Sequence, residues 1–294
     1  MTLNRSALAA SVLLASLPAA SSLIAQDEVG KKERKKIEIQ WSKYETKSYQ
    51  VEYESVIPAG TVKQVADALE EVLTQYIQVF KHKPAEKLKV RFLDSPNTYE
   101  QEGGKPSTAG HFSPQTECLY LKQLPFYELI PTAYHEAFHQ YLHFYVGKDV
   151  PIPTWFNEGM AGYYEEIQKN KETKKLDYKL IDNRKLRMVR DKVMTRTAVP
   201  LAKLIDLSWN DFHDKADPQK ETLHYNQSFG LIYFFMQARG GKPIFQYTEE
   251  LRKSKDPRAA EEKLFGKERK GLKTLEAQWK QYMLQVKLEE KPVK

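Results

Sequence analysis

Two histidines four residues apart, followed by a glutamate, constrain this chain more than anything else in it. The stretch 135–158 reads HEAFHQYLHFYVGKDVPIPTWFNE. On a helix, positions i and i+4 lie one above the other on a single face, so His135 and His139 can aim both imidazoles at one point. Glu136 lies between them, where it can face a water at that point, and Glu158 follows in the next segment. Two neutral nitrogens and one carboxylate, with a fourth position left open, are the ligand set of a catalytic zinc ion rather than a closed structural one. The pattern predicts one Zn²⁺ held by His135, His139 and Glu158.

The surroundings turn the pattern into an arrangement. Tyr134, Ala137, Phe138, Tyr141 and Tyr145 form an apolar stripe at helical spacing, which predicts a helix over residues 131–146, with Pro131 in the first turn and Gly147 at the stop. A short KDVPIP connection leads into a second predicted helix, residues 154–168, opened by Trp155 and Phe156. Glu158 then sits in the first turn of an antiparallel neighbour, looking back at the histidines. Other third ligands fit poorly. The longer HExxHxxGxxH frame is broken by Leu142 and Tyr145. His143 lies eight residues beyond His135, about 12 Å along the axis, and reads as a partly exposed helix histidine. Asp149, in the turn, is the substitute for Glu158.

These segments carry a family resemblance. Eighteen residues separate His139 from Glu158, and WFNEGMAGYYE is similar to the WxNEGxAxY segment of the aminopeptidase N-like gluzincins. Downstream, HYNQSFGLIYFFMQARGG resembles the helix that supplies the transition-state tyrosine of those enzymes, with Tyr225 at the matching position and His224 beside it as an alternative donor. The layout as a whole resembles the secreted peptidase MA-like zincins over most of residues 48–285. Only the two helices around the metal and the tyrosine helix are specific. The resemblance implies an α+β, zincin-like fold and a zinc metallopeptidase acting on a peptide or protein substrate. It also implies His135, His139 and Glu158 as ligands, Glu136 as general base and Tyr225 as oxyanion donor. There are departures. No GxMEN-type segment precedes the histidines; the nearest stretch, AGHFSPQTECLYL at 109–121, reads as an edge hairpin, which points to internal peptide bonds rather than amino-terminal trimming. Thermolysin-like relatives carry an acid four residues after the ligand glutamate, where this chain has Gly162, so the groups that orient the histidines come from elsewhere. The competing reading is a zincin-fold protein of the cell envelope that binds peptides or acts as a scaffold without turnover. Hydrolysis of a non-peptide amide by the same groups is a third.

The amino terminus bears on compartment. Arg5 precedes an uncharged, small-residue-rich run over residues 7–25, broken by Pro18 and too irregular for a comfortable membrane span. Residues 1–25 read as a secretory signal peptide and 26–47 as a charged linker. Residues 48–290 read as the catalytic domain, divided near 168 into an α/β lobe with the metal helices and a helical lobe. The protein is therefore expected to be secreted or periplasmic, with no stable membrane insertion after signal removal. Cys118 is the single cysteine, so no internal disulfide forms, and a mature chain of about 270 residues buries enough surface without one. The formal net charge of +7 gathers at KKERKK (31–36) and the carboxyl-terminal tail, which reads as solvated termini with at most weak contact to anionic surfaces. Nucleic acid is not an expected partner, because the aromatic residues follow helix and strand periodicity instead of interleaving with basic ones.

Along the chain, 49–55 alternates like a strand, Ala59–Phe80 has helical apolar spacing, and Leu88–Leu93 reads as a strand. Strands near 110–112 and 117–121 follow, and the second, residues 118–122, is expected to pair with an extended substrate. His111 lies nearby, as a surface residue or a substrate contact. Helices are expected over 180–194, after Pro200, over 225–239 and in three carboxyl-terminal segments, with 208–221 as a loop at the rim of the cleft.

Overall fold

A computed structural model describes residues 36–288 apart from 171, 174, 175 and 179–183. The expected signal peptide and most of the basic clusters at the two ends lie outside the described residues. Strand β1 (Trp41–Glu45) pairs antiparallel with β2 (Tyr49–Glu54). Helix α1 (Ala59–Phe80) then crosses over to β3 (Leu88–Leu93), which runs parallel to β2. A short helix α2 (Pro96–Gln101) leads to the hairpin of β4 (Gly110–Ser113) and β5 (Cys118–Lys122). Two long elements follow, α3 (Phe126–Val146) and α4 (Thr154–Glu165), then a small hairpin of β6 (Ile167–Lys169) and β7 (Leu176–Tyr178). The rest is helical: α5 (Arg184–Met194), α6 (Leu201–Ile205), α7 (Trp209–Phe212), α8 (Pro218–Ala238), α9 (Lys242–Ser254), α10 (Pro257–Phe265) and α11 (Leu272–Gln285). The class is α+β, as expected.

The larger sheet has the order β1-β2-β3-β5-β4, so β4 is one of its two edges, packed beside α3, and β5 is paired on both sides. The expectation that residues 118–122 pair with an extended substrate is corrected here, because both sides of β5 are taken. Of the hairpin's two strands, β4 is the one at the edge, with one side left unpaired by the sheet. One face of the sheet is covered by α1 and α3. The apolar positions of α1 (Val62, Val65, Ala66, Leu69, Val72, Leu73, Tyr76 and Phe80) are all buried. The Tyr76 hydroxyl donates to the Tyr134 carbonyl at 2.9 Å, and the amide of buried Gln140 donates to the Lys89 carbonyl at 2.9 Å, which fixes α3 on the sheet. The opposite face holds a smaller cluster of Leu93, Tyr99, Cys118 and Tyr120.

Several boundaries differ from the sequence reading. The linker 26–47 contains β1, whose partner strand was legible while its own alternation was masked by charge. Helix α3 starts at Phe126, so Pro131 lies inside it. The proline leaves the Tyr127 carbonyl without its helical donor, and Tyr127 is on the exposed side, where water can replace it. Helix α4 stops at Glu165 because residues 167–169 are drawn into the β6–β7 pair. The expected loop 208–221 contains α7 and the first turn of α8, where the Asp217 side chain accepts from the Lys220 N–H and Pro218 opens the helix. Among the described residues no helix is long and apolar enough to cross a membrane.

Candidate metal centre

Helix α3 places His135 and His139 one turn apart, with ring centroids 4.8 Å from each other. Helix α4 packs against α3 and brings Glu158, 5% exposed, to the same place. The Nε2 atoms of His135 and His139 lie 3.4 and 3.6 Å from one oxygen, Oε2 of Glu158. Donors at 2.0–2.2 Å from a tetrahedral ion stand roughly 3.3–3.6 Å apart, so these spacings suit a small divalent cation. All three donor atoms fall within 4.8 Å of one another, and the group could hold a metal ion. Asp149 does not join it.

Both rings are oriented from behind. His139 Nδ1 lies 2.9 Å from Oδ1 of Asn157, and His135 Nδ1 lies 3.3 Å from Oε2 of Glu165. Amide and carboxylate oxygens only accept, so each Nδ1 carries a proton, and once a ring is neutral its Nε2 lone pair is the one that faces the centre. Lys185 of α5 donates to the same Glu165 oxygen at 3.0 Å. Burial works against ionising Glu165, but the hydrogen bond from His135 and the charge of Lys185 outweigh it and hold the carboxyl down at about 2. The acid missing at Gly162 is therefore supplied three residues later, two helical turns beyond Glu158 on the same face. The sequence reading did not name Asn157, Glu165 or Lys185; a search for acids at helical spacing from the ligand would have found Glu165.

Without an ion the cluster is a compact charge network. Burial pulls the His135 ring down, yet its hydrogen bonds to Glu158 and Glu165 prevail and it is pushed up to about 10. His139 is also raised, burial opposing and Glu158 prevailing. Burial likewise penalises the Glu158 carboxylate, but the two histidines hold it far below the usual carboxylate range.

Glu136 points at the edge strand. Its Oε2 accepts the Phe112 N–H of β4 at 3.0 Å. The approach is close: a Cβ at 110 would sit 3.0 Å from Thr132 Cγ2 and from the Tyr120 carbonyl oxygen and 3.1 Å from Glu136 Cγ, so a side chain there would force its neighbours to give way. Strand alternation gives His111 the other face, where it stacks on Tyr120 at 4.7 Å and its Nδ1 pairs with the Tyr99 hydroxyl at 2.8 Å. Tyr225 of α8 stands at the cluster with its hydroxyl 3.1 Å from His213 Nδ1. Burial raises the phenol well above its ordinary range, and the charges of Glu158, Glu221 and Glu136 add to this, so it stays neutral. His224, about 100° further round the helix, is fully buried with Nδ1 on the Phe212 carbonyl at 3.0 Å, so the structure brings Tyr225 and not His224 to the site. His143 is 8% exposed, packed against Phe112 and Phe144, which corrects the expectation of a partly exposed ring.

A family model described as "Protein of unknown function (DUF1570)" matches residues 129–257, a stretch that contains the three candidate ligands, Glu136, Tyr225 and the groups behind them. No curated protein matches the chain.

Proposed function

We propose that this protein is an exported zinc metallopeptidase that hydrolyses internal peptide bonds. The observation that carries the reading is the convergence of His135 and His139 Nε2 on one Glu158 oxygen, with both Nδ1 atoms tied to acceptors and Glu136 one residue away at an open strand edge. Two imidazoles and a carboxylate suit zinc among the common divalent cations. A zinc ion held by His135, His139 and Glu158 would supply Lewis acidity and would lower the pKa of a bound water from 15.7 to about 7. Glu136 takes the proton from the attacking water and delivers it to the leaving amine. Tyr225 donates a hydrogen bond from its hydroxyl to the oxyanion as charge develops, a kind of contact worth about 3–4 kcal/mol.

Substrate positioning falls to β4. His111 and Ser113 direct their backbone groups at β5, which leaves those of Gly110 and Phe112 facing outward for an extended peptide. The Phe112 N–H is engaged by Glu136 meanwhile, so substrate and base share this edge. The strand GHFS has no carboxylate to capture a free amine, which favours internal bonds. Zinc content of the purified wild type beside Glu158→Ala, together with a mixed-peptide cleavage profile, tests the reading. Stoichiometric zinc lost in Glu158→Ala, with cleavage inside peptides, is the expected result. Zinc binding without cleavage of any peptide would favour the silent binding protein, and absence of zinc binding would end both.

A further inference from the structure

His213 occupies a place for which the proposed reaction gives no reason. It follows α7, is 12% exposed, and lies against Trp209 with ring centroids 3.8 Å apart. Its Nδ1 faces two oxygens, Tyr225 Oη at 3.1 Å and Glu221 Oε1 at 3.3 Å, while its Nε2 is buried with no hydrogen-bond partner among the described residues. Burial lowers the pKa of the ring, the Glu158 and Glu221 charges opposing, so one ring proton has to be placed.

The surroundings decide where. A carboxylate only accepts, and a phenol oxygen can accept while its own hydrogen points elsewhere. With the proton on Nδ1, one N–H is shared between Glu221 and Tyr225 Oη, and every contact is attractive. With the proton on Nε2, the Nδ1 lone pair would face the Glu221 carboxylate, a donor would be buried without an acceptor, and Tyr225 would give its own proton to the ring. Buried donors left unmatched are costly and rare.

We propose that His213 is a positioning residue for Tyr225: its Nδ1–H, anchored by Glu221, bonds to the phenol oxygen and so turns the phenol's own O–H away from the ring and makes it available to a substrate oxygen. Glu221, one helical turn before Tyr225 on α8, completes the relay of orientation from backbone to phenol. The effect on catalysis rests on the metallopeptidase reading; the proton assignment does not.

Two measurements on the full-length protein test it. Selective ¹⁵N-histidine labelling, with His213→Asn to assign the signal, reads the tautomer in the metal-free and zinc-loaded states. Protonation at Nδ1 is expected in both, and protonation at Nε2 overturns the proposal whether or not the protein cleaves peptides. In kinetics of the zinc-loaded protein, His213→Leu is expected to lower kcat by about 10- to 100-fold with KM within about twofold, the signature of a contact made in the transition state. His213→Asn, whose amide N–H takes the place of Nδ1–H, should recover most of this loss. In a Tyr225→Phe background His213→Leu should cost nothing further, and losses that simply multiply would show that His213 does not act through Tyr225. If the zinc-loaded wild type cleaves nothing, the function proposed above falls while the tautomer still decides the role of His213.

Discussion

Two glycines of α4 provide an internal control on the packing that holds the site together. A Cβ on Gly159 would lie 2.8 Å from Ile232 Cγ1 and 2.8 Å from the Ser228 backbone oxygen, both on α8, whereas a Cβ on Gly162 would meet only Phe229 atoms at 3.7 and 3.8 Å. Both positions are buried in the same helix, so replacement by alanine brings each a similar gain in helix propensity, about 1 kcal/mol. That gain stands alone at Gly162. At Gly159 the nearest atoms include main chain, which cannot rotate aside, and α4 must move from α8 by about 0.6 Å to reach ordinary contact. Overpacking of this kind costs about 1–3 kcal/mol. Gly162→Ala should therefore be the more stable variant by about 1–3 kcal/mol, which is about 2–12 °C in Tm for a domain of this size. Thermal unfolding of both metal-free variants measures the gap. Because Glu158 adjoins Gly159 and Tyr225 rides on α8, Gly159→Ala should also weaken metal binding while Gly162→Ala should not. Equal melting temperatures would refute the close approach of the two helices at Gly159.

Other perturbations test the site directly. Glu136→Gln should leave zinc content unchanged and abolish peptide hydrolysis, and turnover retained in that variant would remove Glu136 as the base. Asn157→Leu removes the acceptor 2.9 Å from His139 Nδ1 and should lower zinc affinity by about 10- to 100-fold in a chelator competition, with secondary structure intact; unchanged affinity would show that the ring needs no such support. For pH, a histidine raised from 6.5 to about 10 contributes stability that is complete below 6.5 and is lost as pH rises through about 10. The lowered Glu158 contributes stability present above 4.5 and lost on acidification. The metal-free protein should thus lose Tm from this cluster between pH 7 and 10, while zinc affinity climbs over the same range because bound imidazoles must be neutral. A zinc affinity flat across that interval would contradict the protonated cluster.

How much of the fold is legible in the sequence depends on whether one face of an element is dry. Helix α1 is bounded at Ala59 and Phe80 as expected, because its eight buried apolar side chains keep an unbroken helical period. Strand β1 is hidden because none of its five residues is buried and its pattern dissolves into the charged stretch before it. The start of α3 is missed for a different reason. Pro131 is a good first-turn residue by local chemistry, and only the burial of Leu129, which precedes the proline and joins the core, marks the earlier start.

The candidate site divides along the same line. His135, His139 and Glu158 are readable because helical spacing fixes the first two and a short connection fixes the third. The groups behind them are set by tertiary geometry: Asn157 and Glu165 orient the rings because α4 runs beside α3 at one particular rotation, and Lys185 reaches Glu165 from a helix nearly twenty residues later. His213 is the sharpest case. It stands in a segment whose composition reads as loop, and nothing local distinguishes it from a surface histidine. Its meaning comes from α8, which presents Glu221 and Tyr225 four residues apart, one turn of helix, so that a ring placed against that face meets both oxygens at once. The i, i+4 spacing that lets α3 gather two candidate metal ligands thus recurs on α8, where it gathers an anchor and a phenol around a single N–H.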